Sequence, residues 1–172
     1  MDMWYHFLVG ILIQASFLRF FGGGPVIWVL ILITAFFSHF IVDWGSYLTF
    51  HPDETYRERH PEDRFFTIRT VISGIAAAAV AIYFSYVPEP GFFLVMLASW
   101  LVDFVDWIVV RNLIKIHLID EKYFHEGVLH RIINQFREKV AWWLPNWREK
   151  KAASIMEFVL AAPVIIGLIL IL

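Results

Sequence analysis

Apolar residues fall into five runs, each long enough to cross a bilayer, with the polar residues gathered between them. The runs cover residues 3–20, 26–50, 66–87, 92–110 and 152–172. Two of the reversals are short and rich in helix breakers: Gly22-Gly23-Gly24-Pro25 after the first run and Pro88-Glu89-Pro90-Gly91 after the third. The other two connections are long and charged, one from His51-Pro52 to Arg64 and one from Arg111 to Lys151. Within the second of these, Leu129, Ile132, Ile133, Phe136, Val140 and Trp143 recur at helical spacing, which predicts an amphipathic helix over residues 128–143. Its charged face (Arg131, Arg137, Glu138, Lys139) and the nearby Trp142, Trp143 and Trp147 suit a membrane–water interface. The expected fold class is an all-α integral membrane protein: one membrane domain over residues 1–172, with five transmembrane helices and an interfacial helix between the fourth and fifth.

Composition agrees, since 59% hydrophobic and only 17% charged residues do not describe a soluble domain. A formal net charge of -2 excludes a strongly basic nucleic-acid binder, so the expected partner is membrane lipid and not nucleic acid; the oligomeric state is left open. Met1-Asp2-Met3-Trp4 supplies no basic leader region, so the first run is expected to be retained. Five spans place the N-terminus and both charged connections on one side. That side collects every Lys and Arg except Arg19, so it is expected to be cytoplasmic in a cell inner membrane, with the C-terminus outside. In the third run, Ser73, Gly74, Ala77, Ala78 and Ala81 form a small-residue stripe suited to close helix packing.

The costly residues change the picture. His39 and Asp43 lie within the second run; four residues of helix turn about 400°, so the two share a face and can share a ligand. Asp103 and Asp106 in the fourth run are three apart, also on one face, and rise per residue places them at a depth overlapping that of the first pair. His6 opens toward the same side. His125 and His130 are about 140° apart on an ideal helix, and Gly127 between them allows the backbone to depart from helix so that both can reach the cluster. Carboxylates crowded in a low-dielectric place repel or take up protons unless a cation is present. Zero Cys leaves His and carboxylates as the only ligands, a set suited to zinc first and to manganese or iron; mostly carboxylate ligation would suit magnesium. The expected metal ligands are therefore His6, His39, Asp43, Asp103, Asp106, His125 and His130, enough for one ion or two. Glu126 or Asp106 is the candidate base, and Arg131, Arg111 and Lys122 are on the right side to hold a phosphate. Glu157, near the start of the fifth run, is either a partner of the cluster or an interfacial residue, and His51 and His60 read as solvated.

Ser38-His39-Phe40-Ile41-Val42-Asp43, together with the His125 to His130 element whose third residue is Gly127, resembles the LexA-regulated inner-membrane metal-dependent hydrolases. That family carries an S-H-x3-D motif, an H-x-G-x-T-H motif, an early-helix His and an Asp-rich element. The resemblance implies a metal-dependent hydrolase related to zinc phospholipase C and the single-strand nucleases. It matches Ser38, His39 and Asp43 to the first motif, His125 and His130 to the second, and Asp103 and Asp106 loosely to the Asp-rich element. Leu129 stands where the family has a small hydroxyl residue, no His follows the D-x2-D spacing, and the order of the motifs is permuted. The function expected from the residues is a membrane-embedded metal-dependent hydrolase acting at the cytoplasmic face on a phosphoester of a lipid or lipid-linked substrate. The alternatives are an ion- or proton-coupled carrier using the same acids, and a non-enzymatic anchor whose amphipathic helix docks a partner.

Overall fold

The computed structural model describes residues 3–50, 56, 59–86, 91–120, 127–140 and 142–172. The described residues are helical, without strands, and five helices are long and apolar enough to span a membrane. Helix α1 (Met3–Phe21) is central, packing against all four other spans: α2 (Pro25–Gly45), α3 (Arg64–Ser85), α4 (Phe92–Asp103) and α7 (Ser154–Ile171). Between α4 and α7 lie a π-helical stretch, Phe104–Val110, the short α5 (Arg111–Lys115) and α6 (Val128–Val140).

The glycine-rich reversal works as its composition requires. Gly22 has φ +78°, and Pro25 opens α2 at a position where a missing amide hydrogen costs nothing. At the start of α4, Gly91 has φ +91°, and a Cβ there would come within 2.5 Å of the Trp28 ring on α2. Further along, Gly10 of α1 lets the backbone approach Ser99 of α4, whose Oγ lies only 2.9 Å from where a Cβ would stand.

Three boundaries differ from the sequence expectation for physical reasons. The second span leaves α-helical geometry at Gly45 and finishes as a 3-10 turn, Ser46–Leu48, because the hydroxyls of Ser46 and Thr49 bond back to the carbonyls of Asp43 and Ser46. The fourth widens into π-helix from Phe104, so the ideal-helix spacing of Asp103 and Asp106 does not hold there. The amphipathic helix is described to Val140, and Trp142 and Trp143 lie in a turn. On that helix only Ile133 is buried; Phe136 stacks on Trp44 of α2, while Ile132, Val140, Trp142 and Trp143 remain exposed. The small-residue stripe is half right: Ser73, Ala77 and Ala81 turn inward, Ala77 into a core with Phe7, Ile11 and Met96, whereas Gly74 and Ala78 face outward.

The charged connections meet at one end of the bundle. Asp63 caps α3 by accepting from the Phe65 amide, and its carboxylate also takes the Tyr56 hydroxyl and Lys151 Nζ at 2.9 Å. Those hydrogen bonds from Lys151 and Tyr56 hold the Asp63 carboxyl down at about 2. Arg59 and Glu149 add an exposed pair at 2.7 Å.

Candidate metal centre

At the same end, four helices bring five ionisable side chains to one point. His6 comes from the second turn of α1, His39 and Asp43 from the last turns of α2, Asp103 from the last residue of α4, and His130 from the first turn of α6. His6 and His39 are fully enclosed, their rings stacked at 4.0 Å. Asp103 and His130 form the more open edge, with side chains 18% and 17% exposed.

The geometry distinguishes two sets of contacts. On the outer side of the cluster, ring nitrogens make short hydrogen bonds: His39 Nδ1 to the Ser99 carbonyl at 2.8 Å and His130 Nδ1 to Asp106 Oδ2 at 2.8 Å. With Nδ1 donating, the neutral form of each imidazole presents a lone pair on Nε2 toward the interior, which in His130 an ion would gain by displacing the Nε2 proton. On the inner side the separations are longer. His39 Nε2 stands 3.1 Å from Asp43 Oδ2 and 3.7 Å from Asp103 Oδ1. His130 Nε2 stands 3.3 Å from Asp43 Oδ2 and 3.2 Å from Asp103 Oδ1. His6 Nε2 stands 3.4 Å from Asp43 Oδ1. Charge-assisted hydrogen bonds run about 2.7–2.9 Å, whereas ligands at about 2.1 Å from a shared ion stand about 3.0–3.4 Å apart. Both nitrogens of His6 and Nε2 of His39 make no hydrogen bond among the described residues, although all three are buried.

Two overlapping triads, His6/His39/Asp43 and His39/Asp103/His130, have ligand atoms close enough to hold a metal ion. They share His39, and His39 has only Nε2 left to give, so the two triads describe one ion position. His130 lies outside the spans; burial opposes its charge, but the Asp103, Asp106 and Asp43 carboxylates outweigh burial and push its pKa up to about 11. The field at this point attracts a cation.

Asp106 takes a different place from the one its spacing suggests. It is buried beneath the start of α6 and accepts from the amides of Val128, Leu129 and His130 at 2.9, 3.1 and 2.7 Å, as well as from His130 Nδ1. It is thus a helix-capping and His-orienting residue, and it belongs to neither triad. Gly127 makes this possible: its φ is +81°, and a Cβ would come within 2.5 Å of Asp106 Cγ. Asp43 and Asp106, each the middle residue of a Val-Asp-Trp tripeptide, therefore take different places, Asp106 toward α6 from the π-helical stretch and Asp43 toward His6 and His39.

Of the remaining candidates, His125, Glu126 and Lys122 lie outside the described residues, as does His51. Arg131 is exposed on α6 beside His130, Arg111 is half-buried at the start of α5, and His60 is largely exposed. Glu157 is buried and pairs with Arg69 of α3 at 2.6 Å. Sequence reasoning missed Arg69, although two opposite charges near the starts of the third and fifth spans were a readable signal. It also missed the Ser99 carbonyl, for which no side-chain pattern exists.

Comparisons with protein-family models, with curated proteins and with solved structures gave no match.

Proposed function

We propose that the chain is an integral membrane metal-dependent hydrolase with one divalent ion held by His6, His39, Asp43, Asp103 and His130. The observation that carries this reading is the contrast between 2.8 Å hydrogen bonds on the outward ring nitrogens and 3.1–3.7 Å separations among the inward donor atoms. Three imidazoles and two carboxylates suit zinc, with manganese or iron as the next choices. A bound ion of this kind lowers the pKa of a coordinated water toward neutrality and polarises a phosphoryl oxygen. Asp103, at the open edge, turns Oδ1 to the ion and leaves Oδ2 to take the proton of an attacking water, whereas both oxygens of Asp106 already accept hydrogen bonds. Arg131 and Arg111 offer cations for a phosphate approaching from that edge.

By the positive-inside rule the site opens at the cytoplasmic face of a cell membrane, and the exposed apolar side of α6, with Trp142 and Trp143, lies in the interface beside it. A phosphoester of a lipid or lipid-linked molecule is the substrate class that reaches such a place. Beyond His39 the bundle closes on Ile31, Ala35 and Val95, all fully buried, which favours an enzyme over a carrier needing an outward path. The test is metal-loaded protein in mixed micelles with a panel of phospholipids and lipid-linked phosphates. Chelator-sensitive release of a water-soluble product, lost in Asp43→Ala, is expected; no turnover across the panel would remove the phosphoester reading.

A further inference from the structure

The second anomaly of the bundle lies between α3 and α7. Both helices pack along α1, and between them a cleft of about 280 Å³ opens sideways, toward the surface that faces lipid if the helices span a membrane. Its volume is near the lower limit of about 300 Å³ for small-molecule sites. Its walls are apolar: Phe65, Ile68, Ile72 and Ala76 on α3, Phe158 on α7 and Trp4 on α1. Apart from Ser73, midway along α3, the polar groups of the lining gather toward the starts of α3 and α7. The Arg69–Glu157 pair lies there, and so does Ser154, whose hydroxyl is buried and makes no hydrogen bond among the described residues. Two cations stand near that end: Lys151 Nζ lies 5.7 Å over the Phe65 ring, its side chain half exposed and paired with Asp63, and Arg64 is exposed at the first position of α3.

A groove with an apolar length, a hydroxyl at its neck and two cations at its rim matches the order of groups along one kind of molecule. We propose that the cleft binds one acyl chain of an anionic phospholipid, with the ester group at Ser154 and the phosphate between Lys151 and Arg64. The chain contributes apolar contact along Ile68, Ile72 and Phe158, and the rim favours an anionic headgroup because a zwitterionic one brings its own ammonium beside the two cations, which offsets the attraction to its phosphate. This site shares no residue with the metal centre, from which α1 separates it: Trp4 faces the cleft and His6 the cluster.

The test uses the full chain in phosphatidylcholine nanodiscs carrying a small fraction of phosphatidylglycerol with a photoreactive group in its acyl chain. Labelling is expected to concentrate several-fold on Ile72, Ala76 and Phe158 over Ile75 and Ile82, which are at least as exposed as Ile72 but lie outside the cleft. Unlabelled phosphatidylglycerol should compete and phosphatidylcholine should not. Ala76→Phe, which fills the cleft, should bring labelling down to the level of Ile75, and Lys151→Glu should remove the headgroup preference while leaving metal content unchanged. Even labelling around α3 without competition, meaning ordinary boundary lipid, overturns the proposal. So does a crosslink joining α3 to α7 of a second copy in place of lipid. The competition in wild-type protein stands whether or not either variant folds.

Discussion

Two groups of ionisable side chains are buried in this bundle, and they are compensated in different ways. Arg69 and Glu157 form a pair of one cation and one anion in direct contact at 2.6 Å, each satisfying the other. The cluster of His6, His39, Asp43, Asp103 and His130 is more loosely spaced, with nitrogen–oxygen separations of 3.1–3.7 Å. Its donor atoms converge, but they stop short of one another and leave ring nitrogens buried without hydrogen bonds among the described residues. The first group reads as structure; the second has donor atoms spaced as ligands that share an ion would be. Burial of charge alone therefore does not identify a site. What identifies it is whether the buried groups can satisfy each other.

The largest expected effect separates the two groups by metal content. His39→Ala or Asp43→Ala should abolish stoichiometric metal, measured by elemental analysis, whereas the double variant Arg69→Met/Glu157→Leu should bind one ion as wild type does. Next comes stability. Arg69→Met alone leaves a carboxylate buried without its cation and should cost about 3–5 kcal/mol in thermal or denaturant unfolding, while the double variant should lie close to wild type. If the single and double variants are equally destabilised, the pair is not self-compensating and the contrast fails. A smaller effect tests the layer behind the ligands: Asp106→Asn should weaken metal affinity about 10–100-fold without removing binding, because it loosens His130 and uncaps α6. An effect as large as that of Asp43→Ala would make Asp106 a ligand after all. The smallest is at the loop junction. Asp63 has a carboxyl held low, so its contribution is present above the unfolded value near 4 and is lost as pH falls through about 2. Amide exchange at the start of α3 should accelerate across that window in wild type and not in Asp63→Asn.

Much of this was legible in the chain. Five apolar runs, two glycine-proline turns and the i,i+4 spacing of His39 and Asp43 follow from periods that any helix must obey. The convergence of His6, Asp103 and His130 on that pair followed from depth and direction. The role of Asp106 did not, because it depends on a π-helical stretch that no residue pattern announces and on a Gly127 conformation that brings backbone amides onto a carboxylate. Nor did the overlap of the two triads at His39 Nε2, since it rests on which nitrogen of His39 is already bonded to the Ser99 carbonyl. Backbone carbonyls leave no trace in side-chain spacing. Arg69 and Glu157 were legible singly, but their pairing required knowing that α3 and α7 lie side by side on α1.

The most direct test of the central claim is X-ray absorption spectroscopy of purified protein after metal analysis. One ion per chain is predicted, with a mixed nitrogen and oxygen first shell at about 2.0–2.2 Å and imidazole scattering from more than one histidine. Metal-replete protein with no stoichiometric ion, with two ions per chain, or with a shell lacking imidazole would contradict it.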